Sequence, residues 1–438
     1  MIEALGRAVD RVSPVGGQTS VWRITGYALF FLVLATPTLF QPVKILLLLI
    51  VLAAIAAGWW RGTAPIIPRR ELVVPVVALS AVGAGYVILG IAHGFTAGAL
   101  STAQVYVVWP LIFLALTLAI TTETHLRGLY RTIIIACISC GIFGCWFIVA
   151  NIGLLPGKAL LDALPLKTIF ASTGPGQYSA SFPFLSTLLF AVPFLLGMLA
   201  WPRGRRAPLH RAFVIVAIVL CVAVILLSGR RALLLAIAVA IILFPVLYLL
   251  TASRRPTARF WWTFSGSVLA AIALLLAGAA VAGIDLGAVF GSFLQGFQPG
   301  HSQDALIRTE QSRYLWEGWL RWPIFGSGLG GTTAGFVRDA ATPWAFELSY
   351  NAALYNFGLY GVAVYGIAIV GMIVHSIIVA RRNPSVRPYM IPALMGLVCF
   401  LVGNATNPYL AKFDSLWVLF LPLAILNVAA LRGFRRES

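Results

Sequence analysis

The chain has 438 residues, of which 60% are hydrophobic and only 10% charged. That is too little polar surface to cover a water-soluble globule. The formal net charge of +18 does not mark a nucleic-acid binder either, because the arginines lie in short loops between apolar runs, where they set the topology of a membrane protein beside anionic lipid headgroups.

Arg7, Asp10 and Arg11 precede the first apolar run without a small-residue cleavage pattern, so an uncleaved first helix is expected rather than a signal peptide. A hydrocarbon core about 30 Å thick needs roughly 20 apolar residues per helix. Spans are therefore expected near residues 24–39, 43–60, 72–93, 104–121, 132–153, 181–200, 212–228, 232–251, 260–283, 352–380, 389–405 and 415–431. The first two also fit a re-entrant pair around Pro37 and Pro42. The expected fold class is an all-α polytopic membrane protein, with about 12 transmembrane helices and both termini on one side.

Charge orients this layout. Most of the 31 basic residues fall in one set of loops, among them Arg23, Arg61, Arg69, Arg70, Arg127, Arg131, Arg381, Arg382 and Arg387. That set is expected to face the cytoplasm. The opposite set holds Lys44, Lys158, Lys167, Arg230, Arg231, Arg308, Arg313, Arg321, Arg338 and Lys412. All five cysteines lie within apolar runs. Cys137 and Cys140 have CxxC spacing but no second ligand pair, so packing is their expected role.

Two external segments are long, 154–180 and 284–351. Within the second, residues 303–322 read as an amphipathic helix ending at Pro323, with Leu306, Leu315, Trp316, Trp319 and Trp322 on an apolar side. Arg313–Glu317 and Glu317–Arg321 fall at i,i+4. Such a helix beside a membrane tends to lie in the interface.

Arg230 and Arg231, in Leu227-Ser228-Gly229-Arg230-Arg231-Ala232, form the most informative pair. Basic residues bias a loop against translocation, so two arginines in an outward turn point to a task such as holding an anion. Guanidinium forks suit phosphate bidentately and keep their charge at any relevant pH. The segment from Arg313 to Gly330 combines an arginine, tryptophans and Pro323-Ile324-Phe325-Gly326-Ser327-Gly328-Leu329-Gly330. Its glycines follow a helix rather than a strand, which excludes a dinucleotide fingerprint, and they fit a tight turn near a ligand or another backbone. Glu347 stands just before an apolar run, where a carboxylate is either a partner of the helix dipole or a base held near apolar walls. His301 reads as solvated, and His93, His125, His210 and His375 as interfacial. With no histidine or paired-aspartate cluster at metal spacing, neither a metal nor a cofactor is expected.

These elements, in this order, resemble the O-antigen ligase and O-antigen polymerase superfamily of bacterial inner membranes. Ser228-Gly229-Arg230-Arg231-Ala232 matches its Ser/Gly-Arg-Gly/Arg-Ala element, and Arg313 through Gly330 matches its arginine, aromatic and Pro-x-x-Gly-x-Gly element. Glu347 matches a polar residue eleven positions ahead of Gly358-Leu359-Tyr360-Gly361. The resemblance covers residues 165–375 directly. It implies a GT-C-like helical bundle in the inner membrane, with a periplasmic site and a metal-independent glycosyltransferase activity. The donor would be a glycan on undecaprenyl pyrophosphate, and the acceptor a lipid-linked repeat unit or lipid A core. A chain-length regulator is a further partner that the resemblance allows, beside membrane lipids. Arg230 and Arg313 would bind the pyrophosphate and Glu347 would act as base. Arg231, Arg321, Arg338, Tyr350 and Asn351 would contact substrate. Ligases typically carry histidine, in a His-Asn pair, where this chain has Glu347-Leu348, which favours a polymerase over a ligase. A lipid-linked sugar transporter, the rival from another class, would place charges midway through spans or in broken helices.

Overall fold

The computed structural model describes residues 21–61, 69–153, 155–157, 169–174, 177–201, 207–228, 230–252 and 303–431, with isolated positions between 262 and 291. Twelve helices order these residues, counting one broken helix once. They are α1 (Val21–Ala35), α2 (Gln41–Trp60), α3 (Arg70–Ala92), α4 (Thr96–Ala119), α5 (Glu123–Asn151), α6 (Leu185–Met198), α7 (Arg211–Ser228) and α8 (Arg231–Thr251). After the external segment come α9 (Gln303–Arg321), α10 (Ser349–Arg382), α11 (Arg387–Asn404) and α12 (Phe413–Ala430). Eight are long and apolar enough to cross a membrane, and three more are shorter apolar helices. The protein is a multi-pass helical membrane protein. The span expected at 260–283 lies outside the described residues apart from isolated positions, as do 158–168 and 292–302.

The apolar runs become helices because in lipid each backbone N–H and C=O must be satisfied within its own segment. Burial sorts them into layers. α6, α11 and α12 form the centre, with Phe190, Phe194, Leu394, Phe400 and Ile425 nearly sealed from solvent. α2 and α10 lie outside and turn Leu46, Leu49, Ile367 and Val370 outward, as apolar faces do when lipid is the solvent. Gly197 and Gly396 let these central helices approach: a Cβ at Gly197 would meet the Pro392 backbone, and one at Gly396 the Phe190 ring. α1, at 15 residues, is about 22 Å long, short of a full span. It turns back into α2 through Thr36–Phe40, where Thr38 and Phe40 adopt positive φ.

The expected external loop 154–180 contains a structure the all-α reading lacked. Ile169–Gly174 and Gln177–Ser181 pair as a small antiparallel hairpin.

The arginine-rich loops meet at one end of the bundle. Arg127 bonds Glu123 (3.0 Å) and the Tyr389 hydroxyl (3.2 Å), tying α5 to α11. Arg131 reaches the Pro208 carbonyl (2.6 Å) and Arg69 that of Ala430.

The glycine segment after α9 proves to be a backbone clamp. Gly326, Gly328 and Gly330 all have positive φ, and a Cβ at each would fall within 2.5 Å of another chain segment: Asn356–Gly358, Gly90 and Gly98–Ala99 respectively. Ser327 N and Gly328 N donate to the Tyr355 and Asn356 carbonyls, and Leu329 N to that of Tyr86. α10 breaks at Gly358 (φ 57°) to admit this segment, and Leu359 N and Tyr360 N bond back to the Pro323 and Ile324 carbonyls. The alternative of a backbone approach, rather than a ligand, accounts for these glycines. The clamp holds the end of α9 against the break in α10, and α9 together with the segment ahead of α10 carries much of the polar cluster described next.

Candidate functional site

At the end of the bundle opposite the arginine-rich loops, four parts of the chain bring charged and polar side chains together. The turn from α7 to α8 supplies Arg230, in extended conformation (φ −86°, ψ 106°) and exposed. α9 supplies Arg308 and Gln311, the segment before α10 supplies Arg338 and Glu347, and the turn between α11 and α12 supplies Tyr409 and Lys412.

Glu347 is the node. Arg308 Nε donates to its Oε2 at 3.2 Å, and Arg338 pairs with its Oε1. Its carboxylate does not cap α10. The buried Gln311 side chain does that work, its Oε1 accepting from Glu347 N (3.2 Å) and Leu348 N (3.0 Å). A neutral amide thus satisfies two N–H groups at the helix entry, leaving the carboxylate to the arginines.

Tyr409 lies within the electrostatic reach of both Arg230 and Arg308. Burial pushes its hydroxyl pKa above the usual value, and the charges of Arg230 and Arg308 both pull against that shift. The charges of an arginine in the α7–α8 turn and of one on α9 therefore both bear on this phenol. Tyr409 also packs against Phe400, and the Lys412 ammonium lies 5.9 Å from its ring centroid. The turn is held from below, because Asn404 Oδ1 accepts from Leu410 N at 3.0 Å.

Beneath it, the buried Lys44 pairs with Asp414 at 3.0 Å. The same Asp414 oxygen accepts from Thr38 N (2.7 Å) and Gln41 Nε2 (3.0 Å). This network docks the start of α12 onto the turn between α1 and α2, and so fixes the Tyr409–Lys412 segment.

Other expected site residues lie elsewhere or serve as ties. Arg313 is exposed, with its guanidinium 4.8 Å from the Tyr314 ring centroid. It sits two positions past the buried Gln311, about 200° round the helix, on the face away from Glu347. Among the described residues neither expected pairing with Glu317 forms. Arg321 is in the last turn of α9, about 20 Å along its axis from Arg308. Tyr350 donates to the Leu401 carbonyl (2.5 Å), joining α10 to α11, and Asn351 donates to Ser312 Oγ (2.8 Å), joining α10 to α9. Arg231 opens α8, but its side chain lies outside the described residues, as does Gly229.

The inner stripe of α9 also differs from expectation. Arg308, Gln311, Ser312 and Leu315 face the bundle at helical spacing, whereas Leu306, Trp316 and Trp322 are exposed. The tryptophans form an outer face and the polar residues an inner one. The sequence reading picked out Arg230, Arg338 and Glu347 from this cluster and missed Arg308, Gln311, Tyr409 and Lys412. The spacing of Arg308, Gln311 and Leu315 on one helical face was the available signal. Among the described residues no three His, Cys, Asp or Glu side chains gather as metal ligands.

Compared with known proteins, the chain matches no family model and no curated protein. The fold and the cluster together define a polytopic helical membrane protein with a cationic polar site at one end.

Proposed function

We propose that this chain is a metal-independent, inverting glycosyltransferase. It uses an oligosaccharide on undecaprenyl pyrophosphate and joins repeat units of a surface polysaccharide at the periplasmic face of the bacterial inner membrane. The observation that carries this reading is the pairing of Glu347 with both Arg308 and Arg338, on the side of the bundle where the charges of Arg230 and Arg308 both bear on Tyr409. Together they supply cationic groups for a leaving diphosphate and a carboxylate for a proton.

In the proposed reaction the acceptor hydroxyl attacks the anomeric carbon from the face opposite the leaving group. The bond from that carbon to the pyrophosphate oxygen breaks, and its electron pair stays on the oxygen. Charge grows there in the transition state, so positioned guanidinium groups stabilise it more than the ground state. The hydroxyl proton passes to a Glu347 oxygen. Before substrate arrives, Glu347 is the anion these arginines hold. An incoming diphosphate offers Arg308 a competing set of oxygens, and moving to it frees the carboxylate to accept the proton. Arg230, with no carboxylate partner among the described ion pairs, is the first guanidinium the donor meets.

The test is polymerisation of purified undecaprenyl-pyrophosphate oligosaccharide by the purified protein, with an Arg230→Lys variant beside it. Product ladders from the wild type, strongly reduced in the variant, are expected. Absence of transfer by the wild type, or full activity in the variant, counts against the reading.

A further inference from the structure

A long apolar groove lies between α1, α2, α4, α5 and α12, reaching from the arginine-rich end of the bundle to Phe413 at the start of α12. Its walls include Leu29, Val33, Phe113, Phe420 and Leu421. Along α12 the lining runs from Phe413 to Ala424, and along α1 from Trp22 to Val33. Eleven residues of helix rise about 16 Å, close to half of a hydrocarbon core about 30 Å thick. The groove is as deep as one lipid leaflet.

Its mouth is polar in a specific way. His125, 5% exposed, and Arg23 both line it. Thr121 N–H points at His125 Nδ1 (3.4 Å), so that nitrogen is the acceptor and Nε2 carries the proton. Neither this Nε2–H nor the Nε–H of Arg23 meets an acceptor among the described residues, and solvent reaches neither atom. The two groups are neighbours through Trp22, whose ring meets His125 edge-on at 5.2 Å and lies 5.8 Å from the Arg23 guanidinium. Buried donors are rarely left unmatched. Here both belong to side chains that line a groove otherwise apolar and one leaflet deep.

We propose that this groove is a binding site for an anionic phospholipid of the leaflet at the arginine-rich end. One acyl chain fills the groove, and the phosphate pairs with the half-buried Arg23 guanidinium. Acyl-chain length matches groove depth, and a negative headgroup matches the guanidinium. The lipid proposal does not depend on the proposed transfer chemistry, although the groove's inner end at Phe413 adjoins the Tyr409–Lys412 turn.

Gly26 provides a clean way to block the groove. It lines the cavity, and a Cβ built on it meets nothing within 4 Å. A larger side chain there enters the groove without displacing α1, and leucine favours helix over glycine. The experiment uses the full chain in detergent with phosphatidylglycerol bearing a photoreactive acyl chain, the labelled peptides being mapped by mass spectrometry. Labelling of α1 and α12 peptides is expected. It should fall about tenfold in Arg23→Gln, the loss of one charge-assisted bond, and should also fall in Gly26→Leu, whose side chain occupies the groove. A Gly366→Leu control on α10, where a Cβ also meets open space, should label as wild type does.

Unlabelled phosphatidylglycerol should compete, whereas phosphatidylcholine and inorganic phosphate should not. Equal competition by phosphatidylcholine would overturn the headgroup assignment, and competition by phosphate alone would reduce the site to an anion pocket without a chain. Unchanged labelling in Gly26→Leu, or cross-links showing residues 1–20 seated in the groove, would remove the lipid altogether.

Discussion

Glu347 accepts from Arg308 at 3.2 Å through one oxygen and pairs with Arg338 through the other. It is the shared counter-ion of an arginine on α9 and one in the segment ahead of α10. That arrangement gives the carboxylate two separable roles, holding guanidinium groups in place and accepting a proton. Glu347→Gln keeps the shape and one acceptor oxygen but removes both the charge and the basicity. If the residue is the base, kcat falls by about 10²–10⁴-fold and the acidic limb of the pH–rate profile disappears. A purely organising role would instead raise KM and leave the shape of that profile unchanged.

Arg308 and Arg313 offer a sharper contrast, because they share a helix but face opposite ways. Arg308 engages Glu347, whereas Arg313 lies exposed beside Tyr314. Losing a charge-assisted hydrogen bond to a developing diphosphate costs about 1.5–3 kcal/mol, or roughly ten- to hundredfold in kcat/KM. Arg308→Gln is expected to show that loss, and Arg313→Gln a much smaller one. Steady-state transfer rates for the two purified variants check the ranking. The opposite order would return the phosphate role to Arg313, where the family resemblance puts it.

Tyr409 should keep its proton in conditions where a free tyrosine loses it. Burial raises its pKa from 10.0, and Arg230 and Arg308 oppose the rise. At neutral pH it is therefore a hydroxyl able to donate to an anion. Above pH 10 the unfolded chain loses this proton before the folded one does, so the group's contribution to stability falls as pH rises through that window. Substituting Arg230 and Arg308 by glutamine removes the opposing charges, and the tyrosinate should then form at still higher pH. The difference in alkaline absorbance between each protein and its Tyr409→Phe counterpart measures this.

The helices were legible because hydrocarbon imposes one local rule on every span. α7 and α8, expected at 212–228 and 232–251, are found at Arg211–Ser228 and Arg231–Thr251. The site was legible only where a charge contradicted its surroundings, as at Arg230 and Glu347. Arg308 stood in a segment already rich in charge, and its helical spacing with Gln311 and Leu315 was the one local sign that set it apart from Arg313. The rotation of α9, fixed by Leu315 and Gln311 turning inward, distinguishes them. The hairpin at Ile169–Ser181 is local but too short to stand out from the loop around it, whereas the glycine clamp depends on contacts between distant segments, such as Gly328 against Gly90, which one sequence does not encode in any short pattern.

That clamp yields a stability prediction. A Cβ at Gly328 would stand 2.2 Å from the Gly90 nitrogen, at φ +81°. Both the contact and the backbone conformation exclude alanine, and no flexible side chain is there to yield. Gly328→Ala should cost several kcal/mol, roughly the strain cost of a positive-φ residue plus overpacking. Gly366→Ala, inside α10 with open space around its Cβ, should gain up to about 1 kcal/mol from helix propensity. Thermal unfolding of the two variants in the same detergent tests both signs.

The Lys44–Asp414 pair predicts a non-additive pattern. Lys44 is 1% exposed and bonds both Asp414 and the Thr36 carbonyl, while Asp414 also accepts from Thr38 N and Gln41. Lys44→Met leaves a buried carboxylate with only neutral donors, and Asp414→Leu leaves a buried ammonium and strips an acceptor from the α1–α2 turn. Removing one member of a buried pair costs about 3–5 kcal/mol, whereas replacing both by apolar residues is often close to neutral. The double variant should therefore unfold at a higher temperature than Asp414→Leu alone, though below wild type, because Thr38 N still lacks its acceptor. This pair also docks the start of α12, from which Tyr409 and Lys412 are only a turn away. Asp414→Leu should consequently lower transfer activity more than Lys44→Met does at temperatures where both remain folded. Equal activity in the two variants would mean that the ion pair stabilises the bundle without positioning the Tyr409 turn.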